Sequence, residues 1–124
     1  MNKLFILLYI LILNSSDCKS KEVNKIPKCI QEMIVKISTK EVANPPILIY
    51  SYIYNEQTVY YITSKCCDIP SNLYNQDCNR ICSPDGGFTG KGDMKCTDFF
   101  KKRTEEKLVW KDERKFSEKK LNQH

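Results

Sequence analysis

Histidine is nearly missing from these 124 residues: the one present, His124, is the last. That removes the usual proton carrier near neutral pH, so no Ser–His–Asp or Cys–His constellation is assembled here. C-x2-C knuckles are missing as well, and the nearest zinc-like spacing is Cys78-x3-Cys82 with Cys66 and Cys96. The absence of C-x-x-C also removes the signature of the thiol-exchange enzymes. A long apolar run is lacking: Leu4 to Leu13 is ten residues, about 15 Å as a helix against a ~30 Å hydrocarbon core. Charge of one sign is lacking through the middle of the chain, where residues 21–100 carry nine basic and nine acidic side chains. Without a basic footprint, nucleic-acid binding is not expected. Paired carboxylates exist in number, but a core this small rarely offers the deep cleft that glycoside chemistry needs. The expectation is a protein that is not an enzyme and uses no cofactor.

What is present starts with the amino terminus. A short basic start at Lys3, the apolar run, and a polar stretch from Asn14 to Ser20 have the layout of an export signal. Ser16-Asp17-Cys18 offers small residues for signal peptidase, whereas Cys18 is also a lipidation candidate, despite Asp17 and Ser15 matching a lipobox poorly. The two routes stay open. With Cys18 set aside, six cysteines remain: Cys29, Cys66, Cys67, Cys78, Cys82 and Cys96. An even number in a short exported chain points to disulfides rather than thiolate-bound zinc.

Periodicity then divides the chain. Ile30, Met33, Ile34 and Ile37 form one apolar stripe, which predicts a helix from about Ile26 to Thr39 with Cys29 beside the stripe. Asn44-Pro45-Pro46 ends any helical run. The segment from Ile47 to Thr63 is dense in β-branched and aromatic residues, interrupted at Asn55-Glu56-Gln57, and reads as an antiparallel hairpin. Its isoleucines share one face, expected on the helix, and its tyrosines share the other. The tyrosine face is either a binding surface or a half-buried sheet face with hydroxyls in water; the second reading is preferred. A turn-linked pair is expected around Leu73–Tyr74 and Arg80–Cys82, and a last strand at Lys107–Lys111. The expected organisation is a signal at 1–20, one cysteine-rich α+β domain at 21–111, and a charged, mobile tail at 112–124. In this fold one N-terminal helix packs on a small antiparallel sheet, disulfide-stapled and loop-rich.

The four glycines of the chain, Gly86, Gly87, Gly90 and Gly92, lie together in CSPDGGFTGKGDMKC, Cys82 to Cys96. A phosphate loop needs four residues between its first glycine and Gly-Lys, then Ser or Thr. Here only three residues separate Gly86 from Gly90-Lys91, and Gly92 stands where the hydroxyl is required. Calcium is an alternative through Asp85 and Asp93, with Asp68 and Asp98 near other cysteines, but the alternation of an EF-hand is missing. Lys91-Gly92-Asp93 echoes integrin-binding tripeptides, a match too short to carry weight. The plain reading is a tight turn in which glycines permit positive φ, with Asp85 and Asp93 accepting backbone N–H bonds.

The run VYYITSKCCDIPSNLYNQDCNRICSPDGGFTGKGDMKCTDFF, followed by EKLVWKD, resembles an uncharacterised domain family of small secreted or lipid-anchored bacterial proteins frequent among Bacteroidetes. The resemblance spans nearly the whole chain after the signal, including Cys29 and the Asn-Pro-Pro link. Met94 and Cys78 stand where the family often has glycine, so the number of bridges is not inherited. It implies export and a stapled scaffold, with no assigned activity. The expected function is an exported binding module whose partner is a protein or a component of the cell envelope. The alternatives are a protease inhibitor presenting the Cys82–Cys96 loop, or a calcium-binding envelope domain.

Overall fold

The computed structural model describes residues 25–66 and 68–117; the segment expected to be a signal, with Cys18, and Cys67 lie outside them. Its centre is the hairpin β1 (Leu48–Tyr54) and β2 (Gln57–Ile62). The turn is tighter than the sequence implies. Tyr54 pairs with Gln57, leaving only Asn55 and Glu56 in the loop, with φ of 48° and 62°. Two successive left-handed residues give the type I′ geometry whose twist matches that of the flanking strands.

Two three-residue strands, β3 (Asn72–Tyr74) and β4 (Arg80–Cys82), extend the sheet beyond β2. On the other side β5 (Thr104–Lys111) pairs with β1, giving an antiparallel sheet in the order β4-β3-β2-β1-β5. The last strand therefore begins three residues before the expected Lys107. It is irregular, with register shifts against β1 and a φ of 54° at Glu105. Two helices among the described residues complete the fold: α1 (Lys28–Ser38), and the single turn α2 (Phe99–Lys102) that the sequence did not signal. The architecture is mixed but mostly sheet.

Helix α1 begins at Lys28 rather than Ile26 because Pro27 fixes an extended entry (ψ 141°). The Pro27 carbonyl accepts the first two hydrogen bonds of the helix, from the N–H groups of Ile30 and Gln31. Ile30, fully buried, clusters with Ile49 and Tyr60, and Met33, Ile34 and Ile37 pack around them. The Cys29–Cys78 disulfide joins this helix to the turn between β3 and β4.

The opposite sheet face holds Tyr52, Tyr54, Val59, Tyr61 and Leu73, and all are buried. What covers the tyrosines is α2. Phe99 has no exposed surface, and its ring meets those of Tyr52, Tyr54 and Tyr61 at centroid distances of 5.5, 5.3 and 5.8 Å. The tyrosine face is thus more deeply buried than a face with its hydroxyls in water.

Two residues of the charged stretch that follows Lys111 are held against the domain. Asp112 is 2% exposed, and its carboxylate holds the Arg114 guanidinium at 2.7 and 2.9 Å. Arg114 in turn donates to the carbonyls of Ser38, Lys40 and Ile37 at 2.8, 2.9 and 3.3 Å. The Ile37 and Ser38 carbonyls close α1, where a helix leaves acceptors short of intrahelical partners, and that of Lys40 lies two residues beyond it. Pairing with Arg114 also holds the Asp112 carboxyl below the usual carboxylate range.

Candidate functional site: the glycine loop

The segment between Cys82 and Cys96 is closed by a disulfide across a separation of 14 residues. Each of its glycines has a left-handed φ, between 63° and 77°. The loop folds back on itself: Gly92 N–H donates to the Gly86 carbonyl at 2.9 Å, and Asp93 N–H donates to the Ser83 carbonyl at 3.0 Å. A hydrogen bond from Gly87 N–H to the Asp68 carbonyl, 3.0 Å, ties it to the preceding loop.

Gly92 is the point of closest approach. A Cβ there would lie 1.8 Å from the Ser83 carbonyl oxygen, so nothing larger than glycine fits while the loop stays folded. At Gly87 and Gly90 a Cβ would meet no atom within 4 Å. These two bracket Phe88 and Thr89 at the apex, which projects away from the body. Phe88 is fully exposed.

The two candidate aspartates face different ways. Asp85 accepts from Ser71 N–H at 3.2 Å and from the Tyr61 hydroxyl. Asp93 accepts from Lys95 N–H at 3.1 Å and from Arg80 at 3.0 Å. Burial works against its charge, but the amides of Lys95 and Ser83 and the Arg80 charge hold its carboxyl below the usual range. Asp68 contributes a carbonyl, and Asp98 pairs with Lys102 at 2.7 Å while accepting from Tyr54 at 2.6 Å. Among the described residues no three His, Cys, Asp or Glu side chains converge as a metal site. Lys91 is exposed, and Cys66 is disulfide-bonded.

Two arrangements escaped the sequence reading. One is a polar latch beneath the loop, where the buried Ser83 hydroxyl donates to Asn72 at 2.9 Å and accepts from Arg80 at 2.6 Å. Arg80 also reaches Asn72 at 2.8 Å. Its components lie on β3, β4 and the loop, so only the strand pairing brings them together.

The other is a series of phenol–carboxylate pairs along the tyrosine face: Tyr52 to Glu106 at 2.7 Å, Tyr54 to Asp98, and Tyr61 to Asp85. Arg103 lies over the Tyr52 ring at 4.5 Å and donates to its hydroxyl at 2.8 Å. Burial and then the bond to Asp85 push the Tyr61 phenol up to about 12. Tyr52 is raised by burial and then by Glu106, Tyr54 by its bond to Asp98 and then by burial, and Tyr60 by burial alone. Each therefore holds its proton more tightly folded than unfolded, where a phenol titrates at about 10. Their stabilisation is complete below about pH 10 and is lost as the pH climbs toward the folded values. In an alkaline titration, tyrosinate absorbance from these residues is expected to develop only above about pH 10, together with loss of the near-ultraviolet circular dichroism. Ionisation of every tyrosine near pH 10 with that signal intact would contradict the burial described.

Beside the apex is a groove of about 520 Å³, lined by Pro84, Asp85, Gly90, Lys91, Met94, Thr97 and Phe100. Met94 and Phe100 are both exposed, which leaves an apolar patch continuous with the groove. Met94, like Cys78, has a left-handed φ: 63° and 60° respectively. Both are positions where glycine is the residue of least strain.

A family model described as a domain of unknown function (DUF6970) matches residues 35–112, and the chain belongs to that family. The match begins at Val35, so it leaves out Cys29, which the sequence resemblance had included. No curated protein and no solved structure matches the chain.

Proposed function

We propose that this DUF6970 protein is an exported, disulfide-stabilised binding module of a bacterial cell envelope or its surroundings, which engages its partner with the apex of the glycine loop. The observation that carries the reading is Phe88: a fully exposed phenylalanine at the tip of a loop whose base is fixed by a disulfide and by backbone hydrogen bonds. Leaving an aromatic ring in water forgoes roughly 1.5–3 kcal/mol of burial, and a rigid base lowers the entropic cost of using it in a contact. The disulfides support export, since such bridges persist in oxidising compartments. Processing at the amino terminus, by cleavage or by lipid attachment at Cys18, belongs to the same proposal.

The reading is non-catalytic. Asp85, Asp93 and Asp98 around the loop are engaged by phenols, lysine or arginine. Protease inhibition fits less well, because an inhibitor offers an extended, convex segment and the Gly92–Gly86 bond folds this loop back. Calcium binding fits less well because Asp85 and Asp93 are turned to different neighbours.

The test is capture from an envelope preparation of the producing cell, with the oxidised protein and its Phe88→Ser variant immobilised in parallel. The variant is expected to keep its stability within about 0.5 kcal/mol, as an exposed site away from the core does. It is expected to lose a captured component that the unaltered protein retains. Equal capture by both proteins, or none by either, would overturn the reading.

A further inference from the structure

We propose that the partner of the glycine-loop apex is an anionic lipid surface, with Phe88 entering the interface and Lys91, Lys95 and Lys101 meeting the headgroup phosphates. The inference rests on the binding-module reading and names its partner.

Three observations support it. The apex projects: at Gly87 and Gly90 an added Cβ would touch nothing within 4 Å, and Phe88 is fully exposed between them. A projecting ring needs a matched cavity in a protein partner, whereas a fluid interface accommodates it without one. Below the apex, Met94 and Phe100 extend the apolar surface. This gives the combination of aromatic and aliphatic groups that sits at the boundary between headgroups and acyl chains.

The second observation is the charge around that surface. Residues 82–103 carry five basic against three acidic side chains. Each of the three acids is already engaged: Asp85 by Tyr61 and Ser71, Asp93 by Arg80, and Asp98 by Lys102 and Tyr54. The cations that remain without an ion-pair partner among the described residues are Lys91, Lys95 and Lys101, all exposed. The surface offered to a partner is therefore apolar at the tip, and the charges of residues 82–103 left without an ion pair are all positive, with the exposed Asp68 on the adjoining loop.

The third is the kind of cation. Recognition of a defined carboxylate or phosphate on a protein favours the planar arginine fork. The arginines of the loop and its base are occupied, Arg103 by Tyr52 and Glu106 and Arg80, on β4, by Asn72, Ser83 and Asp93. What is left is lysine, a flexible ammonium whose stem lies along apolar surface while its head reaches a diffuse layer of negative charge.

The experiment places a reporter in the apex of the full chain. The Phe88→Trp variant is mixed with vesicles of phosphatidylcholine alone or of phosphatidylcholine with phosphatidylglycerol, the acyl chains brominated. Wild-type Trp110, which packs with Ile30 and Ile49, is the reference. Because the readout sits at position 88, attachment of the chain elsewhere does not register. The expected result is a blue shift and quenching of the introduced tryptophan on the anionic vesicles, with Trp110 of the wild type unaffected. Adding Lys91→Gln, Lys95→Gln and Lys101→Gln is expected to weaken that partitioning about a hundredfold, from the typical contribution of a lysine near an anionic surface. Unchanged emission on anionic vesicles would overturn the proposal, as would equal quenching on neutral vesicles that ignores the lysines. If quenching fails while Phe88 still governs capture of a protein from the envelope, the lipid proposal falls and the binding-module reading stands. If both fail, both readings fall.

Discussion

Alanine at position 92 is expected to destabilise the oxidised protein by roughly 3–5 kcal/mol, against about 1 kcal/mol for alanine at position 90. Both glycines have a left-handed φ, 63° and 72°, so both substitutions carry the cost of a side chain in that region. That cost is about 1–2 kcal/mol, partly offset by the reduced freedom of the unfolded chain. The difference is space. At Gly90 the new methyl group points into solvent, whereas at Gly92 it would lie 1.8 Å from the Ser83 carbonyl oxygen. Relieving that clash means breaking the Asp93 N–H bond to the same carbonyl and lifting the loop off the Arg80–Asn72–Ser83 latch. Urea unfolding of the two variants beside the parent measures the difference directly. Equal midpoints for Gly92→Ala and Gly90→Ala would show that the loop does not fold back onto Ser83.

Removing the Cys29–Cys78 bridge by Cys29→Ser with Cys78→Ser is expected to cost about 4 kcal/mol. The bridge spans a sequence separation of 49 residues, and the entropy denied to the unfolded chain grows with that span. For a domain of this size the melting temperature is expected to fall by roughly 16–32 °C. The bridge also tethers α1 to the β3–β4 turn, so the variant tests whether burial of Ile30 against Ile49 and Tyr60 holds the helix unaided. The Cys82–Cys96 bridge closes a shorter span of 14 and is worth less, about 3 kcal/mol. A double variant melting within about 5 °C of the parent would mean that the core, not the bridge, places the helix.

The elements that the sequence made legible are those with local signals. The isoleucine stripe marked α1, and alternation on either side of Asn55 and Glu56 marked β1 and β2. The short strands β3 and β4 fall on the residues expected for a turn-linked pair, Leu73–Tyr74 and Arg80–Cys82. The glycine loop was legible as a turn because four positive-φ positions fell on four glycines. What remained hidden depended on partners far away in the chain. Nothing local in Phe99 and Phe100 announces that one becomes the cover of the tyrosine face and the other a surface residue, since strand order decides that. The three phenol–carboxylate pairs join residues 24 to 54 apart, and the Arg114 contacts with α1 join residues 74 to 77 apart. The charged stretch after Lys111 looked like solvated tail because a single buried aspartate has no compositional signature. Within the site, the sequence identified which residues turn the backbone but not that the apex would stand clear of everything else.

The clasp of Arg114 on the end of α1 has a practical consequence for where this domain can be cut. The span recognisable as a family, 35–112, lies inside two fastenings that it does not contain: Cys29 ahead of it and Arg114 behind it. A fragment trimmed to the recognisable span would lose the first turns of α1 together with Ile30, expose the helix-end carbonyls, and strand the buried Asp112 carboxylate without its counter-charge. The unit that is recognisable by likeness is smaller than the unit that coheres, and the difference at each end is set by a covalent or ionic tie to a residue at the margin.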